Sequence, residues 1–63
     1  MTPDQFKEAR KSLGLTQDEL GRWLGRSGRN IGQWERGERR IDPTAVIAVR
    51  AFQTGYRPDE ASA

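Results

Sequence analysis

The chain has 63 residues and a formal net charge of +2 at pH 7, and it contains neither cysteine nor histidine. That composition excludes disulfides and thiolate metal sites, and it removes the side chain that most often serves as a general base. We therefore expect one small domain that is not an enzyme and holds no metal or cofactor. No segment has membrane-spanning length or the pattern of a signal peptide, so we expect a cytoplasmic protein without membrane contacts.

The first predicted helix follows Thr2, which is a good N-cap. Pro3 suits the first helical position, and Gln5 can complete a capping box with the Thr2 hydroxyl. Gly14 is placed to end the helix. Helical spacing predicts a buried stripe made of Phe6, Ala9 and Leu13.

The stretch from Leu15 to Gly37 contains two helix starts and two helix stops. Thr16 and Glu19 have the spacing of a second capping box, and Gly25 is a suitable left-handed stop. Ser27 then restarts the chain as another N-cap, and the glycine that closes the stretch is another stop. Two short helices joined by a glycine-containing turn predict a helix-turn-helix.

The caps, stops and apolar positions of this stretch are Thr16-Gln17-x-x-Leu20, Leu24-Gly25-x-Ser27, Ile31 and Trp34-Glu35-x-Gly37. Together they resemble the Cro/CI (Xre) family of phage-type repressors, over about residues 6–37. The resemblance implies an all-α, lambda-repressor-like bundle of about four helices. It also implies a sequence-specific DNA-binding domain whose second motif helix lies in the major groove of double-stranded DNA.

The second motif helix, roughly residues 28–35, is predicted to read bases. Its periodicity turns Ile31, Trp34 and Glu35 inward. The outward arc then holds Gly28, Arg29, Gly32, Gln33 and Arg36. Arginine suits guanine and glutamine suits adenine, while the glycines either let the backbone approach the groove or are accidents of a poorly optimised helix. Asn30 borders the arc, within reach of a phosphate or a base edge. The expected base contacts are Gly28, Arg29, Asn30 and Gln33.

Positive charge is concentrated in residues 22–40, which hold six arginines against two glutamates, a local net charge of +4. A solvated charged face is the plain alternative, but coincidence with the predicted motif favours phosphate contacts. The resemblance implies a further phosphate contact by Gln17, at the start of the first motif helix. Free backbone amides at a helix N-terminus attract an anion. Arg26 departs from the family pattern and adds a flexible cation beside the groove. The expected phosphate contacts are Thr16, Gln17, Arg26, Ser27, Arg36, Arg39 and Arg40.

Three further features are interpreted by comparison with the same family. Family members often pair an arginine of the first helix with the glutamate of the second motif helix, so we prefer an Arg10–Glu35 ion pair to a phosphate contact by Arg10. Trp23 has two interpretations, a core edge packed under the C-terminal segment or a dimer contact. Gly21 is a small position that lets the two motif helices approach closely.

Asp42 and Pro43 mark the start of the last predicted helix, which is apolar on nearly every side. One stripe, with Ala45, Ala48, Val49 and Phe52, is predicted to close the core. The other apolar residues of this helix form a second strip, and so small a domain has little protein to cover it. An exposed apolar strip suggests a two-fold dimer. The expected dimer interface is Val46, Ile47, Arg50 and Trp23. We expect the domain to span residues 1–56 and a polar tail to span residues 57–63.

The resemblance therefore implies a transcriptional repressor that binds an inverted-repeat operator as a homodimer. Such a protein would autoregulate a small operon of a phage or mobile element, as anti-CRISPR-associated regulators do. The alternative is an antitoxin, which binds a toxin protein and its own promoter. An enzyme would need a small-molecule pocket and a general base, and the sequence shows neither.

Overall fold

The helices of the computed structural model follow the capping pattern of the sequence. The model describes residues 1–58, and within that range it contains four α-helices and no strand. They are α1 (Pro3–Ser12), α2 (Gln17–Leu24), α3 (Gly28–Glu35) and α4 (Pro43–Gln53). The predicted all-α bundle is confirmed. No helix within residues 1–58 is long and apolar enough to cross a membrane.

Local signals set both ends of every helix. Each helix begins directly after a side chain that accepts a hydrogen bond from its first turn, and α1 and α2 have complete capping boxes. The four N-caps are Thr2, Thr16, Ser27 and Asp42. Each helix is followed by a glycine with positive φ, which ends it without steric strain. These glycines are Gly14, Gly25, Gly37 and Gly55.

One hydrophobic core holds the four helices together. Phe6 of α1 and Trp34 of α3 meet edge to face, with ring centroids 5.6 Å apart. Ala48, which the sequence assigned to the core stripe of α4, is only partly buried, and Ile41 of the preceding loop packs against the core. The fully or nearly fully buried apolar side chains are Phe6, Ala9, Leu20, Ile31, Trp34, Ala45, Val49 and Phe52.

The turn between α2 and α3 is tight because residue 21 has no side chain. The amide of Arg26 donates to the carbonyl oxygen of Gly21 at 2.7 Å. A Cβ atom on Gly21 would lie 2.5 Å from the carbonyl oxygen of Arg26 and 3.0 Å from the carbonyl carbon of Ser27. Gly21 therefore allows the backbone of the turn to rest directly against α2.

The first residue of the predicted tail contacts the helices. Arg57 donates from Nη1 to the carbonyl oxygen of Phe52 at 2.8 Å. Its guanidinium also lies 5.3 Å from the ring centroid of Trp23, whose ring meets Phe52 edge to face at 5.0 Å. Trp23 thus packs under the C-terminal segment. Residues 59–63 of the expected tail lie outside the described residues.

Candidate nucleic-acid interface

Helix α3 has one buried face and one exposed face. Ile31 and Trp34 are almost completely buried and fix the helix against the core. On the opposite side Arg29 is exposed and Gln33, one turn further along, is half-exposed. Since residues four apart are neighbours on a helix surface, these two polar side chains share one accessible patch.

A polar cluster beneath this face ties α3 to α1 and α2. Arg10 donates from Nε to Oε2 of Glu35 at 2.7 Å and from Nη2 to Oε1 at 3.1 Å. Its Nη1 donates to the carbonyl oxygen of Leu15 at 2.8 Å. The side-chain nitrogen Nε2 of Gln17 donates to Oε1 of Glu35 at 3.1 Å, and this hydrogen bond holds the side chain in place. Nε2 also carries a second N–H. The buried carboxylate of Glu35 therefore orients both α3 and the glutamine at the start of α2.

Arg26 is anchored, which differs from the flexible cation that the sequence suggested. Its Nη2 lies 2.5 Å from Oδ2 of Asp42, and its guanidinium lies 5.4 Å from the ring centroid of Trp34. Hydrogen bonds from the amide and hydroxyl of Thr44, together with the positive charge of Arg26, lower the pKa of Asp42. Arg26 thus joins the turn of the motif to the N-terminus of α4.

The glycines of α3 are explained by contacts within the protein rather than by an open helix surface. A Cβ atom on Gly28 would lie 1.8 Å from Oδ1 of Asp18, because the carboxylate of α2 already occupies that space. Gly32, which the sequence placed on the outward arc, is buried. The side chains of Arg36 and Gln17 cover it. The prediction of an open arc at Gly32 is therefore wrong.

Arg36 and Glu38 form an exposed ion pair at the end of α3. Nε of Arg36 lies 2.6 Å from Oε2 of Glu38, and Nη2 lies 3.5 Å from Oε1. The hydrogen bond from Arg36 lowers the pKa of Glu38, and the positive charges of Arg36 and Arg29 lower it further. Glu38 was not predicted as a site residue, although a negative charge two residues after Arg36 indicates a local ion pair.

The remaining predicted contacts lie on the surface around α3. Arg39 and Arg40 are exposed on the loop after this helix and line an open cleft with Arg26 and Asn30. Thr16 and Ser27 are exposed, and each hydroxyl accepts an amide hydrogen bond as an N-cap. Each hydroxyl keeps its own hydrogen for a further acceptor such as a phosphate oxygen. Among residues 1–58 there is no group of three acidic, histidine or cysteine side chains arranged to hold a metal ion.

Two short helices, α2 and α3, are joined by a tight turn, and α3 carries an exposed arginine and a half-exposed glutamine. This arrangement defines a helix-turn-helix DNA-binding domain. A family model described as a helix-turn-helix domain matches residues 4–61. The chain therefore belongs to this helix-turn-helix domain family. Searches of curated proteins and of solved structures found no match.

Proposed function

We propose that this protein is a sequence-specific transcriptional repressor that binds an inverted-repeat operator as a homodimer. The observation that carries the proposal is the accessible pair on α3, exposed Arg29 and half-exposed Gln33, because the other face of this helix is packed in the core. Guanidinium and carboxamide groups form two-point hydrogen bonds with purine edges in the major groove. A rigid helix that presents both groups has the chemistry for direct base readout.

Phosphate contacts would place this helix in its groove. Exposed Arg39 and Arg40 follow α3, while Thr16, Gln17 and Ser27 lie at the N-terminal ends of α2 and α3, where free backbone amides favour anions. Such contacts set register and affinity, whereas base contacts set sequence preference. Arg26 has a structural role first, since Asp42 and Trp34 hold it.

An apolar surface beside this region favours a second copy of the chain as partner. Ile47 is 69% exposed, and it lines an open groove together with Val46, Ile41, Pro43 and Met1. The charged side chain of Arg40, on the loop after α3, also lines this groove. Arg50, one turn from Val46, is also exposed. Trp23 is packed on Phe52 and Arg57, so we do not include it in the interface. A two-fold dimer would cover the apolar groove and present two recognition helices to one duplex.

Binding to a promoter is sufficient for repression, because a dimer bound there blocks the access of polymerase to the DNA. We propose that the promoter is the protein's own, in a small operon of a phage or mobile element. The test is selection of bound duplexes from a random pool, followed by protection mapping of the selected site. We expect an inverted repeat with half-site centres about one helical turn, ~34 Å, apart. Recovery of no preferred sequence would contradict the proposal, and a stoichiometric protein partner on purification would favour the antitoxin alternative.

A further inference from the structure

Arg36 lies at the C-terminal end of α3, and its side chain folds back along the helix. It is the C-cap of α3, and its backbone continues the helical conformation with φ −90° and ψ −3°. Side chains on a helix lean toward its N-terminus, so the long arginine reaches back along α3. Its guanidinium covers Gly32, one turn earlier, where a Cβ atom would lie 2.9 Å from Nη1.

The guanidinium of Arg36 therefore fills the side-chain space that Gly32 leaves empty. That space is level with Gln33 and one turn from Arg29, the two residues proposed to read bases. Arg29 and Arg36 are seven residues apart, which places them on the same side of a helix. Both are exposed.

Glu38 holds this guanidinium by one edge. Its carboxylate accepts hydrogen bonds from Nε and Nη2 of Arg36. Guanidinium has five N–H donors in a planar fork. Within residues 1–58, Glu38 accepts from Nε and Nη2, which leaves Nη1 and the second hydrogen of Nη2 for a DNA acceptor. These donors have the spacing that recognises O6 and N7 of guanine.

We propose that Arg36 reads a base edge from the space above Gly32, with Glu38 as the residue that positions its guanidinium. The proposal rests on the proposed function, because it concerns the same DNA surface. It adds Arg36 to the base-reading residues and removes it from the phosphate contacts. Gly32 has a definite role in it, since any side chain there would displace the guanidinium.

The test is selection of duplexes from a random pool with the wild type and with three variants. Arg36→Ala should lose the preference at one base pair in each half-site, by about 5- to 150-fold. Gly32→Ala should lose the preference at the same pair although every charge is retained, because the new methyl group displaces Nη1. Glu38→Gln should also weaken that preference, while binding random duplexes more tightly because a negative charge has been removed.

Arg39→Ala is the matched control, because it removes an exposed arginine three residues away. We expect it to weaken binding to all duplexes and to leave the selected sequence unchanged. If Arg36→Ala behaves like this control, Arg36 contacts phosphate and the proposal is overturned. An unchanged site with Gly32→Ala overturns the placement above Gly32, and an unchanged site with Glu38→Gln overturns the positioning role. If the wild type itself selects no sequence, the proposed function fails instead.

Discussion

The guanidinium of Arg10 and the carboxylate of Glu35 form a two-point ion pair that joins α1 to the recognition helix, with side chains only 11% and 3% exposed. Removing one partner of such a pair strands the other charge away from water. Arg10→Met should therefore destabilise the domain by about 3 kcal/mol, a large share of the roughly 3–9 kcal/mol expected at this length. Urea unfolding measures the loss, and an additional Glu35→Leu substitution should restore part of it. A loss below about 0.5 kcal/mol in the single variant would mean that water solvates the pair.

Two glycine-to-alanine substitutions should have opposite effects on stability. Alanine favours a helix over glycine by about 1 kcal/mol. At Gly21 the added Cβ would meet the backbone carbonyl of Arg26 at 2.5 Å, so the turn must move and we expect a net loss of about 1–3 kcal/mol. At Gly32 the nearest atom is the flexible end of Arg36, so we expect a gain of up to about 1 kcal/mol. Denaturation midpoints compare the two variants, and a gain at Gly21 would contradict the close contact.

Base readout by Arg29 and Gln33 should appear as lost discrimination rather than as uniformly weaker binding. Arg29→Ala should cost about 1–3 kcal/mol per half-site and remove the preference at one guanine. Gln33→Ala should act in the same way at a neighbouring base. Competition between selected and random duplexes measures both effects. Equal weakening on both kinds of DNA would identify these side chains as phosphate contacts.

The arginines after α3 should control the salt dependence of binding. Each phosphate contact contributes about −0.9 to the slope of log K against log salt on duplex DNA. Arg40→Ala, and Arg39→Ala to a smaller extent, should flatten that slope by about one unit per half-site while specificity stays nearly unchanged. Lys11→Ala, on the exposed side of α1, is the control. A change in slope for Lys11 as large as that for Arg40 would show that the contact surface has been misplaced.

Self-association of the protein should depend on the open groove that Val46 and Ile47 of α4 line. Ile47→Glu places a charge at its most exposed apolar side chain, so the variant should be monomeric at concentrations where the wild type is a dimer. Analytical ultracentrifugation measures the mass of each. The variant should retain the helical circular dichroism of the wild type, since Ile47 is outside the core. A wild type that is monomeric and binds one half-site as tightly as an inverted repeat would contradict the dimer.

The interior could be predicted from the sequence much more completely than the DNA-facing surface. The inward direction of Ile31, Trp34 and Glu35 follows from helical periodicity alone, and all three are buried. The same periodicity placed Gly32 outward, because it takes no account of long side chains that fold back over a helix. Arg36, four residues further along, covers this glycine. Their spacing makes the two residues neighbours on the helix, but it does not show that the side chain folds over the glycine.

The sequence by itself determined the four helices and their order. Caps such as Thr16 with Glu19, and stops such as Gly25, act within a few residues along the chain, so they can be recognised without tertiary structure. Only the tertiary structure decided which residues hold Arg26 and Arg57. Arg26 meets Asp42, sixteen residues away, and Arg57 covers Trp23. Partners this far apart in the chain are selected by how the helices pack, and that packing also fixes which donors remain available for DNA.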